Sequence, residues 1–266
     1  MARKKKKTSW PMIIIVVVGV LVYKLLFENG GTPQREASAP AISGAETLDT
    51  YGRNGLRDDW PKLTGGGATE LQEPLAKNYY VVLDDSGSMK SASCAGGQDS
   101  RLSAAIEALA AFVEGLPPRS NFGVMSFDGG RFSERIPLGR RNGADIRRLS
   151  KQMRAGGGTP LATAITLGYG ALRKQAVAQL GYGEYHLVVI TDGEASDAEY
   201  PDVIIKRILS ESPVDVHTIG FCIGREHVLN QPNYLSYQPA DNVQALRQGL
   251  QDVLAEAPGF TVSSFK

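Results

Sequence analysis

The chain has 266 residues, of which 42% are apolar and 21% charged, ordinary values for a protein that buries a core. Its net charge of +1 conceals an asymmetry: residues 1–28 carry six cations and one acid, a net +5, which leaves −4 for the remainder. A body with that balance has no electrostatic reason to bind nucleic acid, and none is expected as a partner.

In chain order, the first feature is a basic tail, residues 1–9, followed by an apolar stretch from Trp10 to Phe27 that includes MIIIVVVGVLVY. As a helix this stretch is about 27 Å long, close to the roughly 30 Å hydrocarbon core of a bilayer. Trp10 and Tyr23 stand where interfacial aromatics belong, and Lys24 can extend its ammonium to the headgroups. The stretch reads as a transmembrane anchor, with membrane as one partner of the chain. The cations before it place residue 1 in the cytoplasm and everything after Phe27 outside, as in a periplasmic or extracellular domain held at a bacterial inner membrane. The alternative is a cleaved signal peptide, although the small residues around Ala37–Ala41 lie well past the apolar run.

Residues 28–77 are poor in large apolar side chains and rich in Gly, Pro, Ser, Thr and Ala, including Gly65–Gly66–Gly67, and read as a flexible linker. Trp60–Pro61 is a candidate contact between this linker and the domain that follows. That domain is expected over residues 78–258, with a tail at 259–266.

Within the domain, apolar runs alternate with helical stripes. Tyr79–Leu83 is a buried-strand run. Leu102, Ala105, Ile106, Leu109, Phe112, Val113 and Leu116 form one helical stripe, ended by Pro117–Pro118. Phe122–Phe127 is a second strand, and Phe132–Leu138 an antiparallel edge strand closing a hairpin across Asp128–Gly129–Gly130. Ile146 and Leu149 mark a short polar helix, and Leu161, Ile165, Gly168 and Leu172 a longer one. Then come a strand over His186–Ile190, a helix over Asp202–Glu211, a strand over Val214–Cys222, a short strand over Tyr234–Tyr237 and a helix over Asn242–Ala255. Continuous apolar strands between helices predict a doubly wound α/β fold, a mostly parallel sheet covered on both faces. Such sheets bind ligands beyond the carboxyl ends of their strands, so the residues after Leu83, Ile190 and Phe221 should share one rim.

Those residues are rich in oxygen. Asp84-Asp85-Ser86-Gly87-Ser88 follows the first strand, Thr191-Asp192-Gly193-Glu194 follows a later one, and Gly156-Gly157-Gly158-Thr159-Pro160 opens a helix between them. Hard divalent cations take oxygen ligands, and magnesium uses only one or two carboxylates while keeping waters. No thiol–imidazole cluster competes, which argues against zinc.

Asp84-x-Ser86-x-Ser88, then Thr159, then Asp192, in this order and on these elements, resembles the metal-ion-dependent adhesion site of the von Willebrand factor A family. The resemblance covers about Asn78 to Ala255. It implies a Rossmann-like sheet and a bound Mg²⁺, with Mn²⁺ or Ca²⁺ as substitutes. It further implies that Ser86 and Ser88 ligate the metal directly and that Thr159 does so when ligand is bound. Asp84 and Asp192 would act mainly through waters and hydrogen bonds. The last coordination position would be filled by an Asp or Glu of a protein partner, in adhesion, scaffolding or envelope assembly. Some members of the family instead serve as adaptors for ATPases or secretion machinery.

One departure is the segment SASCAGGQDS between Met89 and the next helix, which lengthens a loop at the expected rim. It either shapes which partner fits or is an idle insertion. Cys94 lies in this loop and Cys222 ends a strand facing the same rim. Outside the cytoplasm a disulfide is permitted, and two independent reduced cysteines are the alternative. His186, His217 and His227 read as structural, and Arg140–Arg141 and Arg147–Arg148 as a solvated face. An enzyme is not expected: no G-x-S-x-G or phosphate-binding Gly-Lys-Ser/Thr loop is present, and no base for a serine nucleophile can be named.

Overall fold

The computed structural model describes residues 60–61, 73–128, 131–231 and 235–256, all within the unit Tyr51–Lys266. The expected anchor at 10–27 and the tail at 259–266 lie outside the described residues, as does most of the linker. Among the described residues, no helix is long and apolar enough to cross a membrane.

Among the described residues, six strands form one sheet in the order β3-β2-β1-β4-β5-β6. They are β1 (Lys77–Leu83), β2 (Asn121–Asp128), β3 (Arg131–Gly139), β4 (Glu184–Thr191), β5 (Asp215–Phe221) and β6 (Ser236–Ala240). Only the β2–β3 pair is antiparallel; the others pair in parallel, as expected for this sheet. The helices are α1 (Arg101–Glu114), α2 (Gly143–Arg147), α3 (Leu149–Gln152), α4 (Leu161–Ala178), α5 (Pro201–Glu211) and α6 (Val243–Glu256).

Alternation along β1 builds two cores. Tyr79, Val81 and Leu83 point to one face, where they pack with Ile106, Leu109 and Phe112 of α1 and Leu246 and Leu250 of α6. Tyr80 and Val82 point to the other, against Leu161, Ile165 and Leu172 of α4 and Ile205 of α5. A strand buried on both sides favours apolar residues throughout, which is why Tyr79–Leu83 of KNYYVVL reads as an apolar run, with the buried Asn78 at its start held by hydrogen bonds.

Two elements differ from expectation. The single polar helix at Ile146 and Leu149 is two short helices, α2 and α3, each burying one of those residues. The last strand is shifted toward the C-terminus: its described part runs from Ser236 through Pro239 to Ala240, and Tyr234 lies outside the described residues. Pro239 argues against a strand in sequence. Here β6 is an edge strand, where a missing amide donor is tolerated.

Parallel register brings the strand ends level. Leu83 pairs with both Ser126 and Ile190, and Thr191 with Gly220, so Asp84, Asp192 and Cys222 emerge at one edge of the sheet.

Candidate functional site

Three chain segments meet at this rim. After β1 the chain enters a 3-10 turn, Gly87–Lys90, whose buried Met89 anchors it to the core. The Asp84 amide donates to Ile190 O at 2.9 Å, tying the first segment to β4. The glycine loop is laced to the same turn: Gly87 N–H donates to Gly157 O at 3.0 Å, and Gly156 N–H to Asp85 O at 2.7 Å. Gly157 has a φ of +73°, which favours glycine. A side chain on Gly158 would lie only 2.9 Å from Ser196 Oγ, the group that accepts the Thr159 amide at 2.8 Å.

The five sequence-selected residues then stand as follows. Ser86 Oγ and Ser88 Oγ are 2.9 Å apart, and Ser88 Oγ donates to Asp192 Oδ1 at 2.6 Å. Asp84 is fully buried and lies behind them: its Oδ1 accepts the Ser86 amide at 2.7 Å and its Oδ2 accepts the Thr191 hydroxyl at 2.6 Å. Thr159 is not hydrogen-bonded to the serines. Its Oγ1 and Ser88 Oγ both lie within 4 Å of one point over Gly193, at 3.8 and 3.5 Å.

The rim gathers three carboxyl groups. Asp84, Asp85 and Asp192 are all buried. Asp192 pairs with Arg101 through Oδ2 at 2.8 Å, and Asp85 with Arg135 at 3.3 Å, with Ser126 bridging that pair at 2.9 and 2.8 Å. The hydrogen-bond donors to Asp84 are an amide and a hydroxyl, neither of them charged. Burial pushes its carboxyl up to about 6; the bonds from Thr191 and Ser86 pull it down and the nearby Asp192 charge adds to the rise. A buried carboxylate left in this state is stabilised by an added cation. The donors around it are carboxylate and hydroxyl oxygens, which suits a hard ion. Among the described residues no three His, Cys, Asp or Glu side chains cluster as a metal site, so any ion here would depend on the hydroxyls.

Cys94 and Cys222 form a disulfide, with Cα atoms 6.2 Å apart. It joins the loop after the 3-10 turn to the end of β5. A groove of about 490 Å³ lined by Gly96, Gln98, Glu107, Val243 and Arg247 lies off the rim and includes none of the five site residues.

Sequence reasoning passed over Arg101 and the Asp85–Ser126–Arg135 group. Arg101 did carry a signal. It is the first residue of α1, which has no acid in its first turn, and a cation at a helix N-terminus opposes the helix dipole. Such a residue is there for something outside the helix, and here that is Asp192. For Arg135 no signal existed, because its partner Asp85 is fifty residues away.

Residues 79–194 match the family model of the von Willebrand factor type A domain. Among solved structures, the chain is similar to an aerotolerance-related membrane protein from Bacteroides fragilis (17% identity, 67% of this chain and 98% of that one, TM-score 0.52). It is also similar to the vWF domain of the type V pili tip protein Mfa5 from Porphyromonas gingivalis (12%, 72% and 99%, 0.50). A third is the pilus adhesin SpaC from Lactobacillus rhamnosus GG (15%, 70% and 31%, 0.50). Family model and neighbours together support a von Willebrand factor type A domain. The chain spans less than a third of the SpaC adhesin, and at these identities the structural likeness speaks for the fold alone. No curated protein matches the chain. His186 and His217 are buried in the sheet at the end opposite the rim, while His227 is buried beside it, 3.1 Å from Gly193 O.

Proposed function

We propose that this von Willebrand factor type A domain binds a protein partner through a divalent cation, Mg²⁺ or Mn²⁺, held at the rim and completed by a partner's Asp or Glu. Ser86 and Ser88 would supply direct hydroxyl ligands and Thr159 a third. Asp192 would hold the Ser88 hydroxyl and metal-bound water, and Asp84 would orient the motif from behind. The observation that carries the reading is the convergence of Ser86, Ser88 and Asp192 in one hydrogen-bonded chain, with Asp84 buried next to it and, among the described residues, without a cationic partner of its own. Two indirect carboxylates leave the ion electrophilic, so an incoming carboxylate is attracted. The reading is of a binding protein, not an enzyme, and the naming of SpaC as a pilus adhesin is in keeping with it.

We propose further that Trp10–Phe27 anchors the chain in a bacterial inner membrane with the domain outside. Trp60 supports the arrangement from the domain side. It packs on Tyr169, with ring centroids 5.8 Å apart, and on Tyr185 at the start of β4, 5.9 Å away, at the end opposite the rim.

The test is a Mn²⁺ titration of the full chain, followed by partner capture from envelope extract with and without chelator. Saturable binding of one ion and chelator-sensitive capture are expected. Capture that persists in chelator rejects the mechanism. A reporter fused at the C-terminus and active only in the cytoplasm rejects the topology.

A further inference from the structure

Arg101 occupies an unusual station. Its Nη1 donates to Asp192 Oδ2 at 2.8 Å, its Nε to Ser93 O at 3.2 Å, and its Nη2 reaches Cys222 Sγ at 3.1 Å. All three nitrogens are therefore engaged, one with the rim carboxylate and two with the bridged loop and strand end. The side chain is 13% exposed and that of Asp192 is fully covered, so water screens the pair poorly. The guanidinium thus puts a fixed positive charge on the carboxylate that also holds Ser88.

The surrounding loop is built to keep it there. Cys94 and Cys222 both have left-handed backbone, with φ of +62° and +63°. Non-glycine residues hold that conformation only when their surroundings impose it. The disulfide ties the two together, and Ser91 O accepts the Arg101 amide at 2.8 Å. Ser100 caps α1 through a reciprocal pair with Ser103, at 3.1 and 3.0 Å, which sets where Arg101 begins.

We propose that Arg101 is a built-in counter-cation that weakens the rim's grip on a divalent ion, and that the Cys94–Cys222 bridge holds it in that role. The inference rests on the ion-binding reading above. A guanidinium and a divalent ion both draw on the charge of Asp192 and repel each other across a short distance. The ion is then held weakly by the chain alone and more tightly where a partner carboxylate adds its own charge, so capture and ion binding strengthen each other. The inserted loop is on this account a regulatory element of the site.

The experiment is Mn²⁺ titration of the full chain, read by calorimetry and by the Mn²⁺ paramagnetic signal. Wild type, Arg101→Gln, Arg101→Lys, Cys94→Ser and the Arg101→Gln/Cys94→Ser pair are compared. Arg101→Gln is expected to tighten Mn²⁺ binding roughly tenfold or more, because it removes a like charge near the ion. Arg101→Lys keeps the charge and should remain close to wild type. Cys94→Ser should tighten binding in the same direction and add nothing in the Arg101→Gln background, since both changes act through one group. Unchanged or weaker binding in Arg101→Gln, with wild type binding normally, overturns the role of Arg101 and leaves the ion site standing. No binding in wild type or in Arg101→Gln overturns the ion site and this inference with it. Additive effects of the pair overturn the role of the bridge.

Discussion

The two ends of the sheet both bury polar groups, and they do so in opposite ways. At the amino end of the strands, Asn78 Nδ2 donates to Ala76 O, Gln179 Oε1 and Glu184 O at 2.8–2.9 Å, and its Oδ1 accepts from Asn121 at 2.9 Å. Gln179 returns a bond to Glu73 O at 2.9 Å. Neutral amides satisfy one another there with no charge left over. Nearby His186 is buried, stacks on Tyr79 at 4.6 Å and is pushed down to about 3 by burial, so it too stays neutral. At the carboxyl end the buried groups are ionisable: Asp192 pairs with Arg101, Asp85 with Arg135, and the carboxyl of Asp84 is driven up to about 6. Neutral amide networks hold a fold together; a buried carboxyl with a raised pKa beside hydroxyl oxygens is where a ligand belongs.

That contrast can be broken most sharply at Asp192. Asp192→Ala should abolish measurable Mn²⁺ binding while the chain still unfolds cooperatively in urea; retained binding would remove the rim from consideration. Asn78→Asp should do the reverse. It keeps the shape but turns donors into acceptors facing three oxygens, so about 3 kcal/mol or more of stability should be lost. Mn²⁺ affinity should not change, as measured on the folded fraction.

Acid sharpens the comparison next. His186 binds a proton more readily unfolded than folded, so its contribution is present above the unfolded pKa near 6.5 and is lost as pH falls toward 3. Lys77, His217, Glu184 and Asp215 face the same ring, and His217 is shifted in the same direction by burial. Asp84 works with the opposite sign between about 4 and 6, because its folded pKa is raised. The measurement is therefore a difference: between pH 6.5 and 5, wild type should lose about 1.5 kcal/mol more than His186→Gln by urea unfolding. Equal losses would show that the histidine is not held neutral. The smallest effect is expected at Trp60. Trp60→Ala removes two aromatic contacts at the amino end and should cost about 1 kcal/mol in the same assay, with Mn²⁺ binding unchanged.

Residue pattern alone was enough for the alternation of strands and helices, for the antiparallel hairpin, and for the level at which Asp84 and Asp192 leave the sheet. Each of these follows from local periodicity and from one rule about parallel strands, and neither needs a distance. The stripe on α1 and the unbroken run of β1 were equally plain, because burial on one or two faces writes itself into every second or every third and fourth residue.

What chain order could not supply were the pairings across it. Whether Cys94 and Cys222 are joined depends on a Cα separation, here 6.2 Å, that 128 intervening residues leave undetermined. Pro239 is tolerated in β6 because the sheet order makes that strand an edge. Arg101 and Arg135 were given no role from the sequence, and only the folded rim aims them at Asp192 and Asp85. Periodicity is a property of neighbours in sequence, whereas charge balance is a property of neighbours in space, and the chemistry of this rim is set by the second.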